Sequence, residues 1–468
     1  MEAWEREKKV ASTIKIRPGI SHGQDLTTGP ILKHLWALAL PMIIGNVLQN
    51  AFSIVDMIFV GRLGPTAVAA VAVSGLVMMV AWTLLIGVSI STVAVVARFF
   101  GAKEFDQANA AAVQSLILGL VISIILALFG AFLDEPVLRI LGASPEMMEP
   151  AVAYFRIVFI GSFTLIFMFL SGAILRGAGD AKTPMVILMV ATAFNIALDP
   201  LLIFGPWFFP RLEVRGAAYA TVIGQGVAMV LGLWVLVRGY SRVHVHLAHF
   251  RPKPELMKRM ILIAIPATIQ GALRSVAHLG LIRIVALHGT VAVAAFGIGL
   301  RINLLVMMVG WAIGSAASTL VGQNLGARRS DRAEKSAWLT AGIFCGFMIV
   351  AGVGFFLFAD PLIRLFNDDP GVIQIGQTYL RIVILSYPFL GLSMICAMSF
   401  NGAGDARTPA VIVGLTFIAL MIPMALILPR FIVPSTSGIW WAMTVSITVQ
   451  GIAMALAFRR GRWKGQRI

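Results

Sequence analysis

RGAGDAKTP at residues 176–184 and NGAGDARTP at residues 401–409 are two copies of one loop. Their register is 225 (401 minus 176), and it recurs far from the loop. LALPM sets Pro41 against Pro266 of IAIPA, and GPTAVAAV from Gly64 matches GTVAVAAF from Gly289. FGAKEFDQA sets Gly101 and Asp106 against Gly326 and Asp331 of LGARRSDRA. DEPVLRIL sets Pro136 and Arg139 against Pro361 and Arg364, and AYFRIV sets Arg156 against Arg381. Unrelated apolar segments would not hold one gapless register from Leu38 to Pro184 across so many polar landmarks, so the chain is an internal duplication.

The 468 residues are 59% hydrophobic and 12% charged. A soluble domain carries roughly 25% charge, so this is a membrane chain. Uncharged runs at Leu63–Ala97, Gly216–Val237, Ile302–Ala327 and Ile382–Gly404 approach or exceed the ~20 residues that cross a hydrocarbon core as a helix. The first thirty residues are polar and show no apolar core of a cleavable signal. They read as a cytoplasmic tail, 1–32. Cys345 and Cys396 lie in apolar runs and read as small packing residues.

Each half reads as six spans. The first set is 33–60, 66–97, 108–133, 150–175, 183–208 and 216–238. The second is 258–286, 291–322, 334–359, 375–400, 408–430 and 437–459. An even number keeps the two halves the same way up, a parallel repeat about the membrane normal that favours alternating access. The expected fold is therefore an all-α integral membrane protein of 12 transmembrane helices in two pseudo-symmetric six-helix bundles. The lobes are 33–238 and 258–459, a basic linker runs over 239–257, and a basic tail covers 460–468.

The net charge of +16 is gathered in loops: Arg328, Arg329, Arg332 and Lys335; Arg238 through Arg259; and the tail from Arg459. That pattern marks the cytoplasmic side rather than a nucleic-acid surface. Both termini are then cytoplasmic, in a multi-pass protein of the plasma (inner) membrane. His244, His246 and His249 in the linker read as polar loop residues. The repeated loops fall on this basic side, where the glycines allow a tight return and Asp180 or Asp405 can cap the next helix. The GAG triplet lacks a preceding strand and the full glycine spacing of a nucleotide fingerprint, and no phosphate-binding GxxxxGK[ST] occurs.

The copies differ where chemistry is expensive. Asp56 and Asp199 lie within spans, and their equivalents are Leu281 and Met424. Asn195, one turn before Asp199, answers Leu420. An acidic residue at mid-bilayer costs about 2.5–3.5 kcal/mol, so a functional role is the default reading. Asn46, Gln49, Ser53 and Asp56 are spaced i, i+3, i+7, i+10, a polar stripe on one helix face. Thr221 near the start of the sixth span lies at similar depth. These carboxylate, amide and hydroxyl oxygens suit Na⁺ in place of water, and either Asp suits a proton, because desolvation favours a neutral carboxyl. Pro41, within the first span, permits a bend. The second half carries Arg274, His278, Arg283 and Arg301 instead.

At these residues the chain resembles the multidrug and toxic compound extrusion (MATE) family. The resemblance covers about residues 33–460. It rests on the two-lobe pattern, PMIIGNVLQNAFSIVDMIFVGRLG, the FGAKEFDQA and RGAGDAKTP loops, NIALDPLLIFG and RGAAYATVIGQG. It implies a V-shaped pair of bundles exporting cationic or amphipathic organic compounds against inward Na⁺ or H⁺. The family's ion-coupling residues fall on Asp56, Asn195, Asp199 and Thr221, and its bending proline falls on Pro41. Acidic ligands that some members carry in the seventh and tenth spans are missing, so the likeness is to the branch with its ion site in the N-terminal lobe. No cofactor is expected beyond the coupling ion, no partner beyond substrate and bilayer, and the expected state is a monomer. Two alternatives stand beside this reading. A lipid-linked precursor flippase would use Arg274 and Arg301, and a membrane-embedded aspartyl hydrolase would use the Asp56–Asp199 pair.

Overall fold

The computed structural model describes residues 25–206, 210–241, 243–245 and 251–466. Helix α1 covers Ile31–Gly61, α2 Pro65–Gly101 and α3 Phe105–Phe132. A short helix, α4, follows at Asp134–Ile140. Helices α5 (Pro145–Ile160) and α6 (Ser162–Gly177) form one span bent by 43°. Helix α7 covers Lys182–Phe204 and α8 Glu213–Arg238. The second half repeats the order with α9 (Pro254–Ala286), α10 (Thr290–Gly326), α11 (Ser330–Leu357) and the short α12 (Ala359–Arg364). Helix α13 (Pro370–Val383) passes through a 3₁₀ turn at Ile384–Ser386 into α14 (Tyr387–Gly402). Helix α15 (Arg407–Gly414) continues through a π-helical stretch, Leu415–Met421, into α16 (Ile422–Ile427), and α17 covers Ser435–Arg459.

Eleven of these segments are long and apolar enough to cross a bilayer, and the bent α5–α6 pair makes twelve. The all-α, twelve-span, two-bundle expectation is met. The largest shifts at span starts are five residues, at 145 rather than 150 and 370 rather than 375. Two elements were not expected. Helices α4 and α12 begin 225 residues apart (359 minus 134), so even these follow the repeat. The π stretch has a local cause. Pro423 has no N–H for the carbonyl four residues earlier, so the helix widens there.

The duplicated loops close alike. Gly179 and Gly404 adopt φ of +90° and +86°, open only to glycine at low cost. Asp180 accepts from the Thr183 N–H at 3.0 Å and the Thr183 hydroxyl at 2.6 Å. Asp405 accepts from Thr408 in the same two ways, at 3.1 and 2.7 Å. Each carboxylate thereby satisfies an orphan donor at a helix start. Asp180→Ala and Asp405→Ala should each cost about 1 kcal/mol, read as a lowered thermal midpoint of the purified protein. Equal melting of wild type and both variants would show that the loops are held by something else.

The two lobes meet at the basic face through the last turns of α2 and α10. A Cβ on Gly101 would stand 1.9 Å from the Gln323 carbonyl oxygen, and one on Gly326 would stand 2.0 Å from that of Arg98. The contact is its own image under the repeat, since Gly101 and Arg98 answer Gly326 and Gln323. Small residues let backbones touch, which is how helices associate where no hydrophobic driving force exists. Gln323 also donates to the Gly177 carbonyl at 2.9 Å. About halfway along the spans the lobes still touch, where the Asn46 amide donates to the Met308 carbonyl at 3.2 Å. Its repeat image is Gly271, whose Cβ would meet Thr83 Cγ2 at 3.2 Å. Beyond that level α2 and α10 expose equivalent apolar residues, Met79 and Val80 against Leu304 and Leu305.

The first helix of each half packs across the pair. The largest buried cluster joins Leu35, Leu38 and Ala39 of α1 to α10, α13 and α14 of the second half. The next joins Met260, Ile263, Ala264 and Ala267 of α9 to α2, α3 and α6 of the first. The first helix of each half thus lends its basic-face portion to the other lobe. The chain ends follow the same crosswise rule. Arg329 donates to the Thr27 carbonyl at 2.8 Å, and Arg332 donates to those of Leu26 and Thr28 at 3.4 and 3.1 Å. Arg98 donates to the Gln466 carbonyl at 2.6 Å, and nearby Trp463 is buried against Phe458.

Of the basic linker, Val243 and Val245 are buried, the His244 N–H donates to Asn109 Oδ1 at 3.1 Å, and the Lys253 N–H donates to Gln114 Oε1 at 3.0 Å. His246 and His249 lie outside the described residues, so the reading of three polar linker histidines extends beyond them. Cys345 and Cys396 are both free.

Candidate functional site

Asp56 sits in the last turns of α1, and Asp199 in the last turns of α7, against which α1 packs. Both helices end at the face away from the basic loops. Asp199 is fully buried and Asn195, one turn earlier on the same face, is 4% exposed. Helix α8 closes this face. Its Gly224 lies so close that a Cβ would stand 2.9 Å from Asn195 Cβ, and a Cβ on Gly216 would meet the Leu202 carbonyl oxygen at 2.3 Å. The helices approach because small residues occupy the crossing. An apolar collar caps the site, formed by Val60, Ala67, Val71, Ile203, Val214 and Ala217 with Phe59 edge-on to Phe204.

Inside the collar, polar atoms are left over. Both carboxylate oxygens of Asp199, Oδ1 of Asn195 and Oδ1 of Asp56 are buried without a hydrogen-bond partner among the described residues. An unpaired buried acceptor costs about 1–3 kcal/mol, and more when charged. Four acceptors with no donor form an arrangement short of positive charge. A proton on a carboxyl, or a small hard cation ligated by oxygen, is the chemistry that completes it. Asp56 and Asp199 lie within electrostatic reach of one another, so a charge taken up at one is felt at the other.

The structure brings Asp56, Asn195 and Asp199 together. Thr221 lies on α8, one turn before Gly224, but its hydroxyl bonds to none of the three. Helix α8 begins at Glu213, so Thr221 is two turns into the span rather than one. The first-span stripe divides. Asn46 is committed to Met308 of the other lobe, and the Ser53 hydroxyl returns to the Gln49 carbonyl of its own helix at 3.1 Å. Ten residues at about 100° each leave Asn46 and Asp56 about 80° apart around the axis, enough to face different neighbours. Gln49 makes no side-chain hydrogen bond among the described residues. Pro41 is buried within α1. No group of three or more His, Cys, Asp or Glu side chains fit to hold a metal occurs among the described residues.

One neighbour escaped the sequence reading. Tyr154 on α5 packs into the collar and lies within electrostatic reach of both Asp56 and Asp199. Its repeat partner is Tyr379, whose hydroxyl accepts from Asn303 at 2.6 Å. A tyrosine retained in both halves looks like packing when read by register alone. Only the fold sets Tyr154 beside the acids.

The MatE family model matches residues 41–201 and 266–427, beginning at Pro41 and at its repeat image Pro266. The chain belongs to the MatE family. Two relatives bracket what MatE proteins of similar sequence are named for. One is a probable multidrug resistance protein NorM of Thermotoga maritima, 28% identical over 93% of each chain. The other is an FAD transporter of Shewanella oneidensis, 29% identical over 92% of this chain and 95% of its own. Among solved structures, a MATE crystal structure in the bent conformation superposes with a TM-score of 0.88 at 26% identity, covering 95% of this chain and 98% of the other. The fold and the duplication are therefore those of MatE transporters.

Proposed function

We propose that this MatE chain exports small cationic or amphipathic organic compounds in exchange for Na⁺ or H⁺ taken up between Asp56 and Asp199. The observation that carries the reading is the set of four buried acceptor oxygens without donors. Nothing comparable lies at Leu281 and Met424, their repeat equivalents. Asn195 orients beside Asp199, and Thr221 supplies a hydroxyl one turn from the crossing. With the basic loops on the cytoplasmic side, a cleft between the exposed apolar faces of α2 and α10 would open outward, and the coupling ion would reach the site from outside. The substrate class follows the relatives named for multidrug resistance and multidrug export.

The crosswise packing supplies a mechanism. Below Pro41, helix α1 is clamped to the other lobe through Leu35, Leu38 and Ala39. Above it, the helix stays tied to the other lobe as far as Asn46 and then runs with α7 toward Asp56. Proline leaves the Ala37 carbonyl without its helical donor, so this is where α1 bends at least cost. Neutralising Asp56 removes the main penalty for burying it deeper and lets the upper segment tilt. The N-lobe cleft narrows, substrate leaves outward, and the lobes then rock to release the ion inside. An inward potential of 100 mV supplies about 2.3 kcal/mol per charge moved, enough to hold a neutral compound at roughly a 50-fold gradient.

Efflux from proteoliposomes with Na⁺ and H⁺ gradients imposed separately tests the proposal. Export under one gradient and none without either is the expected result. Transport indifferent to both would end the coupling claim. Pro41→Ala should retain cation binding and slow export about tenfold. If binding falls as far as in an Asp56 variant, or export keeps its rate, the bending step is wrong.

A second reading has one observation behind it. Arg274, one turn from the lobe-facing Gly271, has no acidic partner among the described residues and lies beside His278. A cation at the cleft suits an anionic substrate, such as a lipid-linked precursor or a dinucleotide, and an anionic compound in the same liposome assay separates the two readings.

A further inference from the structure

The repeat exposes a second difference between the lobes, at the far end of the bundle. In the first half Arg156 is held by the buried Asp134, with Nε at 2.7 Å and Nη2 at 2.6 Å from one carboxylate oxygen. The equivalent arginine is Arg381, and the equivalent of Asp134 is Ala359. The next residue, Asp360, is already engaged by Arg364 at 2.7 Å and by the Gln377 amide. Arg381 is left exposed, with no acidic partner among the described residues. Its guanidinium stacks instead over the Phe356 ring, 5.8 Å from the centroid.

Phe356 is a wall of an apolar groove. The groove lies between α11 and the α13–α14 junction, holds about 310 Å³, and is lined by Met348, Gly352, Val353, Phe356, Ile384 and Leu385, among others. The 3₁₀ turn at Ile384–Ser386 breaks the helix here, and Gly352 lets Ile384 approach so closely that a Cβ would stand 2.9 Å from Ile384 Cγ2. Depth identifies the occupant. Arg381 is 21 residues from Gly402 at the basic face (402 minus 381), about 31 Å at 1.5 Å per residue. That is the thickness of the hydrocarbon core, so the guanidinium lies at headgroup level and the groove lies in the acyl layer beneath it.

We infer that the groove is a site for one anionic phospholipid of the leaflet opposite the basic face, with its phosphate on Arg381 and an acyl chain against Val353, Phe356 and Leu385. The charge complementarity comes from the missing Asp134 equivalent. A guanidinium can hold a phosphate through two parallel N–H donors. The first lobe cannot form this site, because Arg156 is already neutralised by Asp134. The alternative is an arginine that merely reaches for water, which would show no preference among lipids.

Native mass spectrometry of the full chain, exchanged from nanodiscs of mixed phosphatidylglycerol and phosphatidylcholine, tests this. Phosphatidylglycerol should be retained preferentially, one molecule per chain. Arg381→Gln should lower that preference roughly five- to tenfold. Arg381→Lys should recover part of it, because the charge is kept while the two-donor fork is lost. Ala359→Asp restores the pairing of the first lobe and should lower the preference as far as Arg381→Gln, while leaving the arginine in place. Val353→Trp should reduce retention of both lipids by filling the groove. Soluble glycerol phosphate at the same concentration should not displace the lipid. Equal retention of the two lipids in wild type, an unchanged preference in Arg381→Gln, no recovery in Arg381→Lys, or displacement by glycerol phosphate would each overturn the assignment.

Discussion

Asp56→Asn is expected to abolish gradient-driven export and, at the same time, to raise the thermal midpoint. Asparagine fills the same volume but takes up neither a proton nor the charge of a cation. The carboxylate it replaces has a buried oxygen without a partner and lies within electrostatic reach of the fully buried Asp199. An acid at mid-bilayer costs about 2.5–3.5 kcal/mol, and the smaller part of that cost borne near the helix end is relieved in the variant. Stability gained together with activity lost is the signature of a residue kept for function. Asp199→Asn should behave alike, because the two acids share one set of acceptors. Leu281→Ala and Met424→Ala, the repeat equivalents, should leave ion dependence unchanged. The assignment fails if Asp56→Asn transports at the wild-type rate under the same gradient. It fails equally if Leu281→Ala or Met424→Ala removes ion dependence as completely.

Gly101→Ala should break the seal at the basic face. The added methyl would stand 1.9 Å from the backbone oxygen of Gln323, which no rotamer change can move. Either α2 or α10 must retreat, at about 1–3 kcal/mol for an overpacked contact. Gly326→Ala should cost a similar amount, since it forms the mirror contact. The direct readout is chemical. Ala97 is fully buried at the crossing, so a cysteine placed there, with Cys345 and Cys396 replaced, should resist maleimide. Adding Gly101→Ala should make it label. Gly342→Ala is the control, a helical glycine with open space around its Cβ. If both glycine variants protect the cysteine equally, the crossing does not seal this face.

The duplication was legible because it is written in polar landmarks that tolerate little change. Pro41, Gly101, Arg156 and the GAGD loops keep one register, and the helices follow it down to α4 and α12. Asp56 and Asp199 stood out because a carboxylate in an apolar run has no cheap explanation. Other features left no trace that a single chain could show. Hydropathy sees an apolar run and is blind to the 43° bend after Ile160. The stripe through Asn46 and Asp56 has the right period, yet its two ends serve different neighbours, and period alone cannot say which helix stands opposite. The same limit hid Tyr154. The crosswise packing of α1 and α9 arises because the lobes meet at their basic ends, which is a property of assembly rather than of any segment.

The ties at the chain ends bear on which state the empty protein occupies. Arg329 and Arg332 grip the segment that leads into α1, and Arg98 grips the segment that follows α17, each reaching across from the opposite half of the chain. Leu26 packs with the second lobe, so the Arg329 and Arg332 bonds stay within it, and parting the lobes at the basic face breaks the Arg98–Gln466 bond. At about 1 kcal/mol, that tie favours the shut arrangement about fivefold. The shut arrangement at the basic face is therefore the favoured one. A compound arriving from the basic side meets fewer open copies, and its apparent affinity falls by the same factor, because only the open fraction can bind it. The segment after α17 would thus raise the concentration at which transport begins.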